Sequence, residues 1–235
     1  MSDKELNTPL CKSHNDYVFE EGRFVGDFEG LYRDFKDPWD QTEVFKARDS
    51  RRVLAMSYCQ RLLSEFEDRS QARVLEIGCG FGHMTEALRL YGFSSVGVDI
   101  SGEAVKQARL RHPESVFFQR SISEARLLEE FNPDIIIMSE VTWYMLDELK
   151  AFLDRLTQFA EDRSTDTWLI HLLNTYPPGV QKYGRDFFTD LDGILAYFNL
   201  EYIEAGYVAS SPTAQKVHKD TFLWRRYLVK AQIEP

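Results

Sequence analysis

The sequence predicts an α/β fold in which a parallel sheet is wrapped by crossover helices. Three observations predict it. Short apolar runs alternate with helical stretches through the middle of the chain, glycines at alternate positions join a strand to a helix, and the run Ile135 to Met138 is apolar throughout. Strands that are apolar on both faces are typical of parallel sheets covered by helices. A chain of 235 residues also has the length expected for one domain.

The first part of the chain is rich in aromatic residues and lacks clean periodicity. Eight of the 32 aromatic residues lie between Tyr17 and Phe45, and we interpret residues 1–43 as a helical lid that is not strand-like. From Val44 to Glu67, apolar and charged residues fall on opposite faces of a helix. This pattern predicts one amphipathic helix over residues 44–68.

The middle of the chain, residues 73–174, predicts five strands connected by helices. The strands are expected at Arg73 to Ile77, Ser95 to Asp99, Val116 to Gln119, Asp134 to Ser139 and Thr167 to Asn174. A helix through Leu90 follows the first strand. Further helices are expected from a cap at Ser101 to a point before Pro113, and from a cap at Asp147 to about Ala160.

The last part of the chain, residues 175–235, predicts a helix and then a hairpin. The helix covers Leu191 to Phe198, and a polar loop joins two strands at Glu201 to Val208 and Thr221 to Lys230. Eleven further aromatic residues lie between positions 176 and 227. We expect residues 1–235 to form a single domain, with its two aromatic-rich segments enclosing a substrate chamber.

Composition and charge exclude several classes of partner. The net charge is −10 and the pI is near 5.1, so the molecule repels nucleic acid and anionic membranes. The apolar runs are too short to cross a bilayer, and the sequence begins without a basic and apolar targeting pattern. Three widely spaced cysteines, Cys11, Cys59 and Cys79, suggest free thiols and no metal site. A cytoplasmic protein, monomeric or homodimeric, is expected.

The sharpest motif runs from Val74 to Gly82, where Gly78, Gly80 and Gly82 follow the first strand at alternate positions. Glycines at such a point allow a tight turn and let the backbone approach a ligand closely. The spacing differs from the Gly-x-Gly-x-x-Gly of dinucleotide-binding proteins.

Two acidic residues flank this glycine motif. Glu76 precedes the three glycines, where a carboxylate would attract an ammonium group and repel a pyrophosphate. Asp99 ends the second strand, where a carboxylate can accept hydrogen bonds from both hydroxyls of a ribose.

These residues together resemble the class I S-adenosylmethionine-dependent methyltransferases. The resemblance implies a Rossmann-like sheet of seven strands with the last antiparallel, and helices on both faces. It implies S-adenosylmethionine as cofactor, S-adenosylhomocysteine as product and no metal. Glu76 and the loop from Gly78 to Gly82 would hold the methionyl part, Asp99 the ribose, and Ile100 would pack on adenine. Further expected cofactor contacts are Trp39, Cys79, Ser121, Ile122, Ser139 and Glu140.

The residues after the fourth strand limit which molecules are expected to receive the methyl group. The chain lacks the Asn-Pro-Pro-Tyr and Pro-Cys motifs that act on nucleic-acid bases, and it has Ser-Glu-Val-x-x-Tyr ending at Tyr144. Together with two upstream stretches, Phe24 to Phe28 and Asp37 to Trp39, this motif makes the chain most similar to nodulation-type N-methyltransferases and bacterial sugar methyltransferases. This resemblance implies methylation of an amine or hydroxyl on a small, sugar-like metabolite.

The candidate catalytic residues are ionisable or hydroxyl side chains near the expected methyl group: Tyr32, Glu140, Tyr144 and His171. A protonated amine or hydroxyl needs a base, and these side chains could serve. His171 lies in an apolar run, so a buried core histidine is the alternative. A nicotinamide-dependent oxidoreductase and a non-catalytic S-adenosylmethionine-binding protein remain alternative functions.

Overall fold

The computed structural model describes residues 13–21, 23–42, 57, 60, 68–175, 181–199, 204–210 and 218–227. The predicted helix from Val44 to Glu67 lies outside these residues, apart from positions 57 and 60, which are helical. Cys11 and Cys59 also lie outside them, whereas Cys79 is a buried free thiol.

Short helices and strands alternate along the described chain. In order they are α1 (Asn15–Val18), β1 (Phe19–Glu20), β2 (Arg23–Phe24), α2 (Phe28–Asp34), β3 (Arg73–Ile77), α3 (His83–Leu90), β4 (Ser94–Asp99), α4 (Gly102–Arg111), β5 (Val116–Gln119), α5 (Leu127–Phe131), β6 (Ile135–Ser139), α6 (Leu146–Glu161), β7 (Thr167–Thr175), α7 (Leu191–Phe198), β8 (Glu204–Ser210) and β9 (His218–Tyr227). Turns of 3-10 helix occupy Arg69–Gln71 and Thr142–Tyr144.

The predicted α/β fold with a parallel sheet is confirmed. Within the described residues, β3 to β9 form one sheet of strand order β5-β4-β3-β6-β7-β9-β8. The first five strands in that order are mutually parallel, and β9 pairs antiparallel with both β7 and β8. The predicted bounds of β3, β5 and α7 are confirmed.

The core lies on both faces of this sheet. In β6, Ile136 and Met138 join the apolar cluster that includes α6, whereas Ile135 and Ile137 join the cluster that includes α3. All four side chains are fully buried. Successive residues of a strand point to opposite faces, so an uninterrupted apolar run fits a central strand with helices above and below.

Two local predictions are wrong. Asp147 does not cap α6, because the 3-10 turn at Thr142–Tyr144 passes directly into the helix and draws Leu146 into the core. Asp147 lies instead in the first turn, where its charge suits the helix dipole. The lid also contains strand structure, since β1 and β2 pair antiparallel and bring Phe19 opposite Phe24. The pairing brings the two rings into edge contact, with centroids 6.0 Å apart, and such a cross-strand contact is not revealed by periodicity.

The strand order creates a crevice. The chain builds outward from β3 through β4 to β5, and then returns to the other side of β3 as β6. Ligands of such sheets bind at this reversal, beyond the carboxyl ends of the strands.

Among the helices of the described chain, none has the length and apolar character needed to cross a membrane.

Candidate functional site

A cavity of about 390 Å³ lies at the carboxyl ends of β3, β4 and β6. The loops that follow these strands form one side of the cavity, and α2 with the residues after it forms the other. Most of the expected site residues line it: Tyr32, Trp39, Glu76, Gly78, Cys79, Asp99, Ile100, Ser121, Ile122, Ser139, Glu140 and Tyr144. The fold therefore gathers side chains that lie as far apart as positions 32 and 144.

The loop between β3 and α3 requires glycine at alternate positions. Gly78, Gly80 and Gly82 all have positive φ, at +72°, +52° and +77°. A Cβ at Gly78 would lie 2.4 Å from Val141, and one at Gly82 would lie 2.4 Å from Phe117. Among these glycines, only Gly78 lines the cavity in the described structure. Gly80 and Gly82 shape the loop from outside the cavity.

The expected ribose ligand, Asp99, also holds the glycine loop. Its two carboxylate oxygens accept hydrogen bonds from the backbone N–H groups of Gly80 and Ser101, each at 2.9 Å. The side chain is only 6% exposed, and burial raises the pKa of this carboxyl. A carboxylate can accept more than two hydrogen bonds, so Asp99 can accept hydrogen bonds from the hydroxyl groups of a ligand while it keeps these two.

Glu76 brings a second carboxylate to the same cavity. It is 5% exposed, and burial raises its pKa to about 7, although the Thr85 hydroxyl donates a hydrogen bond to it. The nearby charge of Asp99 contributes to the rise. Two buried carboxylates that face one cavity make it attractive to a cation and hostile to a pyrophosphate.

The residues after β6 form the wall next to the glycine loop. Glu140 has a φ of +58°, while its backbone N–H donates to the carbonyl of Leu172 at 2.9 Å. A left-handed conformation is unfavourable for glutamate, and such strain is common at functional sites. The 3-10 turn that follows places Tyr144 against Trp39, with ring centroids 5.3 Å apart.

The lid side of the cavity comes from α2 and from the turn after it. Phe28 and Tyr32, one helical turn apart, line the cavity together with Trp39 and Gln41. The Gln41 side-chain oxygen accepts from the backbone N–H of Phe81 at 3.1 Å, which ties this segment to the glycine loop.

Tyr32, the lid tyrosine that lines the cavity, differs in environment from a free phenol. Tyr32 is buried, and burial raises its pKa well above the usual value. Near neutral pH it therefore stays protonated and can donate a hydrogen bond, but it is poorly suited to act as a base. Of the four candidate catalytic residues, the structure brings Tyr32, Glu140 and Tyr144 to the cavity.

His171 lies elsewhere. It is fully buried in β7, its Nε2 lies 2.6 Å from the Thr142 hydroxyl, and its ring lies 4.6 Å from that of Phe198. It does not line the cavity. The core-histidine alternative fits this position, and the geometry gives no support to a catalytic role.

Several cavity residues escaped the sequence analysis. They include Gln41, His83, Met84, Met145 and Glu148. His83 bridges two elements, since its Nδ1 lies 3.0 Å from Nε2 of His112 and its Nε2 lies 3.3 Å from the Thr42 hydroxyl. Glu148, on α6, has an oxygen 3.5 Å from the Ser121 hydroxyl. No local motif marks these residues, whereas two further cavity residues, Phe28 and Trp143, lie in the Phe24 to Phe28 stretch and in the Ser-Glu-Val-x-x-Tyr motif.

Comparisons with known proteins agree with this geometry. The chain is 34% identical over 77 residues to a ubiquinone biosynthesis O-methyltransferase of Bordetella avium, covering 33% of this chain and 31% of that protein. It is 28% identical over 121 residues to nodulation protein S of Azorhizobium caulinodans, covering 48% of this chain and 58% of that protein. The chain thus spans less than two thirds of these relatives.

A solved structure shows the same fold. The N-methyltransferase NodS from Bradyrhizobium japonicum, in complex with S-adenosyl-L-homocysteine, has a TM-score of 0.53 at 16% identity, covering 81% of this chain and 93% of that one. A family model described as a methyltransferase domain matches residues 48–205, which is more than half of the sequence. The chain therefore belongs to the methyltransferase-domain family.

Proposed function

We propose that the protein transfers a methyl group from S-adenosylmethionine to an amine or hydroxyl of a small metabolite. The observation that carries this proposal is the cavity at the carboxyl ends of β3, β4 and β6, with two buried carboxylates beside a glycine loop. Family membership, and the S-adenosyl-L-homocysteine named in the NodS complex, support the same cofactor.

The residues present fit this cofactor. Glu76 and the backbone at Gly78 suit a methionyl ammonium group, Asp99 suits the ribose hydroxyls, and apolar Ile100 and Ile122 suit the adenine ring. The sulfonium and ammonium charges of the cofactor would also offset the buried carboxylates. A nicotinamide dinucleotide would bring its pyrophosphate against the same carboxylates, which disfavours that alternative.

Polar groups also line the cavity near the end that we assign to adenine. Ser121 and Glu148 both line the cavity beside Ile122. We assign them to the edge of the adenine ring, where a carboxylate oxygen can accept a hydrogen bond from an amino group.

For methyl transfer, the protein needs mainly to align the acceptor with the methyl group and to remove a proton from the acceptor. When bound, S-adenosylmethionine supplies a methyl carbon that a nucleophile can displace from sulfur. Glu140 is the side chain we assign to hold an acceptor amine or hydroxyl and to take its proton, which leaves a lone pair for attack. Phe28, Trp39 and Tyr144 form apolar walls that exclude water and restrict the acceptor. The acidic cavity favours an amine, and a hydroxyl is the second candidate.

The test combines cofactor binding with turnover. Methyl-labelled S-adenosylmethionine is incubated with the protein and with matched panels of amine and hydroxyl metabolites, and transfer of label is measured. In calorimetry, Asp99→Ala should weaken S-adenosylhomocysteine binding roughly tenfold to a hundredfold, because a charge-assisted contact is lost.

Asp154→Ala is the matched control, since Asp154 lies on the exposed face of α6 and pairs with Lys150. Unchanged affinity in Asp99→Ala would contradict the role of Asp99. Tight cofactor binding with no transfer to either panel would favour the non-catalytic alternative.

A further inference from the structure

The N-terminus of α4 receives a hydrogen-bond acceptor from a distant part of the chain. One carboxylate oxygen of Glu29, on α2, accepts from the Ser101 hydroxyl at 2.8 Å and from the backbone N–H of Glu103 at 3.0 Å. The first N–H groups of a helix have no partner within the helix, and a negative charge is favourable there. Glu29 therefore caps a helix 72 residues further along the chain.

Ser101 is also the local cap of α4, so the two caps are connected. Its hydroxyl oxygen accepts from the backbone N–H of Ala104 at 3.1 Å, while its hydroxyl hydrogen is directed to Glu29. Because one hydroxyl can accept and donate at once, both bonds form together. The start of α4 is thereby shared between its own residue and the lid.

Glu29 lies between two residues that form the lid side of the cavity. Phe28 precedes it, and Tyr32 lies one turn beyond it on α2. This helix has only seven residues and is too short to be stable alone, so contacts with the rest of the fold must set its position. The hydrogen bonds between Glu29 and the start of α4 fix the orientation of α2, and thereby the positions at which Phe28 and Tyr32 line the cavity.

The same bonds lead to the expected ribose ligand. The backbone N–H of Ser101 donates to one oxygen of Asp99 at 2.9 Å. A continuous series of hydrogen bonds thus connects Asp99 through Ser101 to Glu29, and it links the strand side of the cavity to the lid. The charge of Glu29 is also one of the causes that raise the pKa of Asp99.

We propose that Glu29 is a positioning residue that fastens α2 over the ribose end of the cavity, so that closure of the lid and occupancy by the cofactor favour each other. This inference rests on the proposed function, because it takes S-adenosylmethionine as the ligand. Coupling of this kind is reciprocal: if the fastened lid raises cofactor affinity, the bound cofactor must hold the lid in place to the same extent.

The expected effect is moderate because Glu29 is exposed to solvent. Glu29→Ala should weaken S-adenosylhomocysteine binding roughly threefold to tenfold, the range expected for loss of a helix cap. Glu29→Gln should restore most of the affinity, since its amide oxygen can accept both hydrogen bonds. Arg33→Gln is the matched control on the same helix, because Arg33 is largely exposed and pairs with Asp34.

The experiment measures affinity by calorimetry and the exchange of backbone amides 28–34 by hydrogen–deuterium mass spectrometry, with and without S-adenosylhomocysteine. In the wild type, the ligand should slow exchange in this segment. In Glu29→Ala, exchange should be faster without ligand, and added ligand should slow it much less. A merely structural contribution would alter the melting temperature without changing the ligand-dependent protection.

Besides a melting temperature that changes without any change in ligand-dependent protection, two results would overturn the inference. One is wild-type affinity and protection in Glu29→Ala, and the other is an equal loss in Arg33→Gln. If the wild type itself does not bind S-adenosylhomocysteine, the proposed function fails separately. The ligand-free exchange rates then decide the inference, since unchanged exchange in Glu29→Ala would show that Glu29 does not hold α2.

Discussion

Glu76 carries its carboxylate from β3 into the cavity, away from bulk water. Its pKa rises from an ordinary value of 4.5 to about 7 because burial penalises the charged form. Between these two pH values the folded protein keeps a proton that the unfolded chain has released. The contribution of Glu76 to stability therefore falls as the pH rises from about 4.5 to 7, and it stays low above that range.

Glu76→Gln should stabilise the ligand-free protein at pH 8 but not at pH 5. The neutral amide avoids the cost of a buried charge, which amounts to roughly 3 kcal/mol at the higher pH, and its oxygen can still accept from Thr85. Unfolding by denaturant at both pH values measures the difference. Glu129→Gln, at an exposed position of α5, is the control. An equal effect of Glu76→Gln at both pH values would contradict the prediction.

Glu140 and His171 show how position within a strand decides a residue's role. Glu140 follows the last residue of β6, and its left-handed backbone lies at the cavity wall. His171 lies inside β7, where its register partner in β6 is the buried Met138. A side chain in the middle of a covered strand points into a helix layer, whereas residues near or beyond the carboxyl end of a strand, as Glu76 and Asp99 also are, can face a ligand.

At the scale of elements, the lid segment is held by several polar contacts besides its aromatic packing. Asp37 accepts from the backbone N–H groups of Gln41 and Thr42 at 2.8 and 2.9 Å, which shapes the turn after α2. Gln41 then bonds to the glycine loop, and Glu29 bonds to the start of α4. These contacts place the lid against the glycine loop and against the start of α4, which follows Asp99 and Ile100 in the chain.

Deletion of the residues before Thr42 should abolish methyl transfer while the sheet still folds. The deletion removes Phe28, Tyr32, Trp39 and Gln41 from the cavity, and it leaves β3 to β7 intact. Circular dichroism measures the fold, and release of S-adenosylhomocysteine measures turnover. Deletion of residues 1–12 is the control, because it leaves every described cavity residue in place. A fully active shortened protein would contradict the role of the lid.

At the scale of the whole molecule, the sheet sets the location of the cavity, and we expect the charge of the molecule to influence which ligands bind there. Helices cover both faces of the parallel strands, so open space remains at the strand ends. We expect a net charge of −10, together with the buried carboxylates, to disfavour phosphate-rich partners.

S-adenosylhomocysteine should raise the melting temperature, whereas NAD should leave it unchanged. A ligand at about one hundred times its Kd stabilises the folded state by about 2.7 kcal/mol. For a chain of this size, that corresponds to roughly 5–10 °C. NAD should fail because its pyrophosphate would face Glu76 and Asp99. A larger shift with NAD than with S-adenosylhomocysteine would instead favour an oxidoreductase.

The sequence alone determined the α/β fold, the bounds of β3 and β5, and the glycine loop with Glu76 and Asp99 beside it. These features are local. Apolar periodicity identifies a strand, and glycine at alternate positions identifies a tight turn, without knowledge of distant contacts. The cap at Ser101 is likewise confirmed, because a cap depends on residues only three positions apart.

Only the tertiary structure decided which distant side chains share the cavity. Gln41 and Glu148 line it through the packing of α2 and α6 against the strand ends, and no pattern near either residue reveals this. The bond from Glu29 to α4 spans 72 positions for the same reason. A cavity is defined by what surrounds it in space, whereas periodicity reports only the nearest turns of the chain. The strand ends can thus be read from sequence, and Tyr32 and Trp39 of the lid were expected at the site, but Gln41 and Glu148 reach the cavity only through the complete fold.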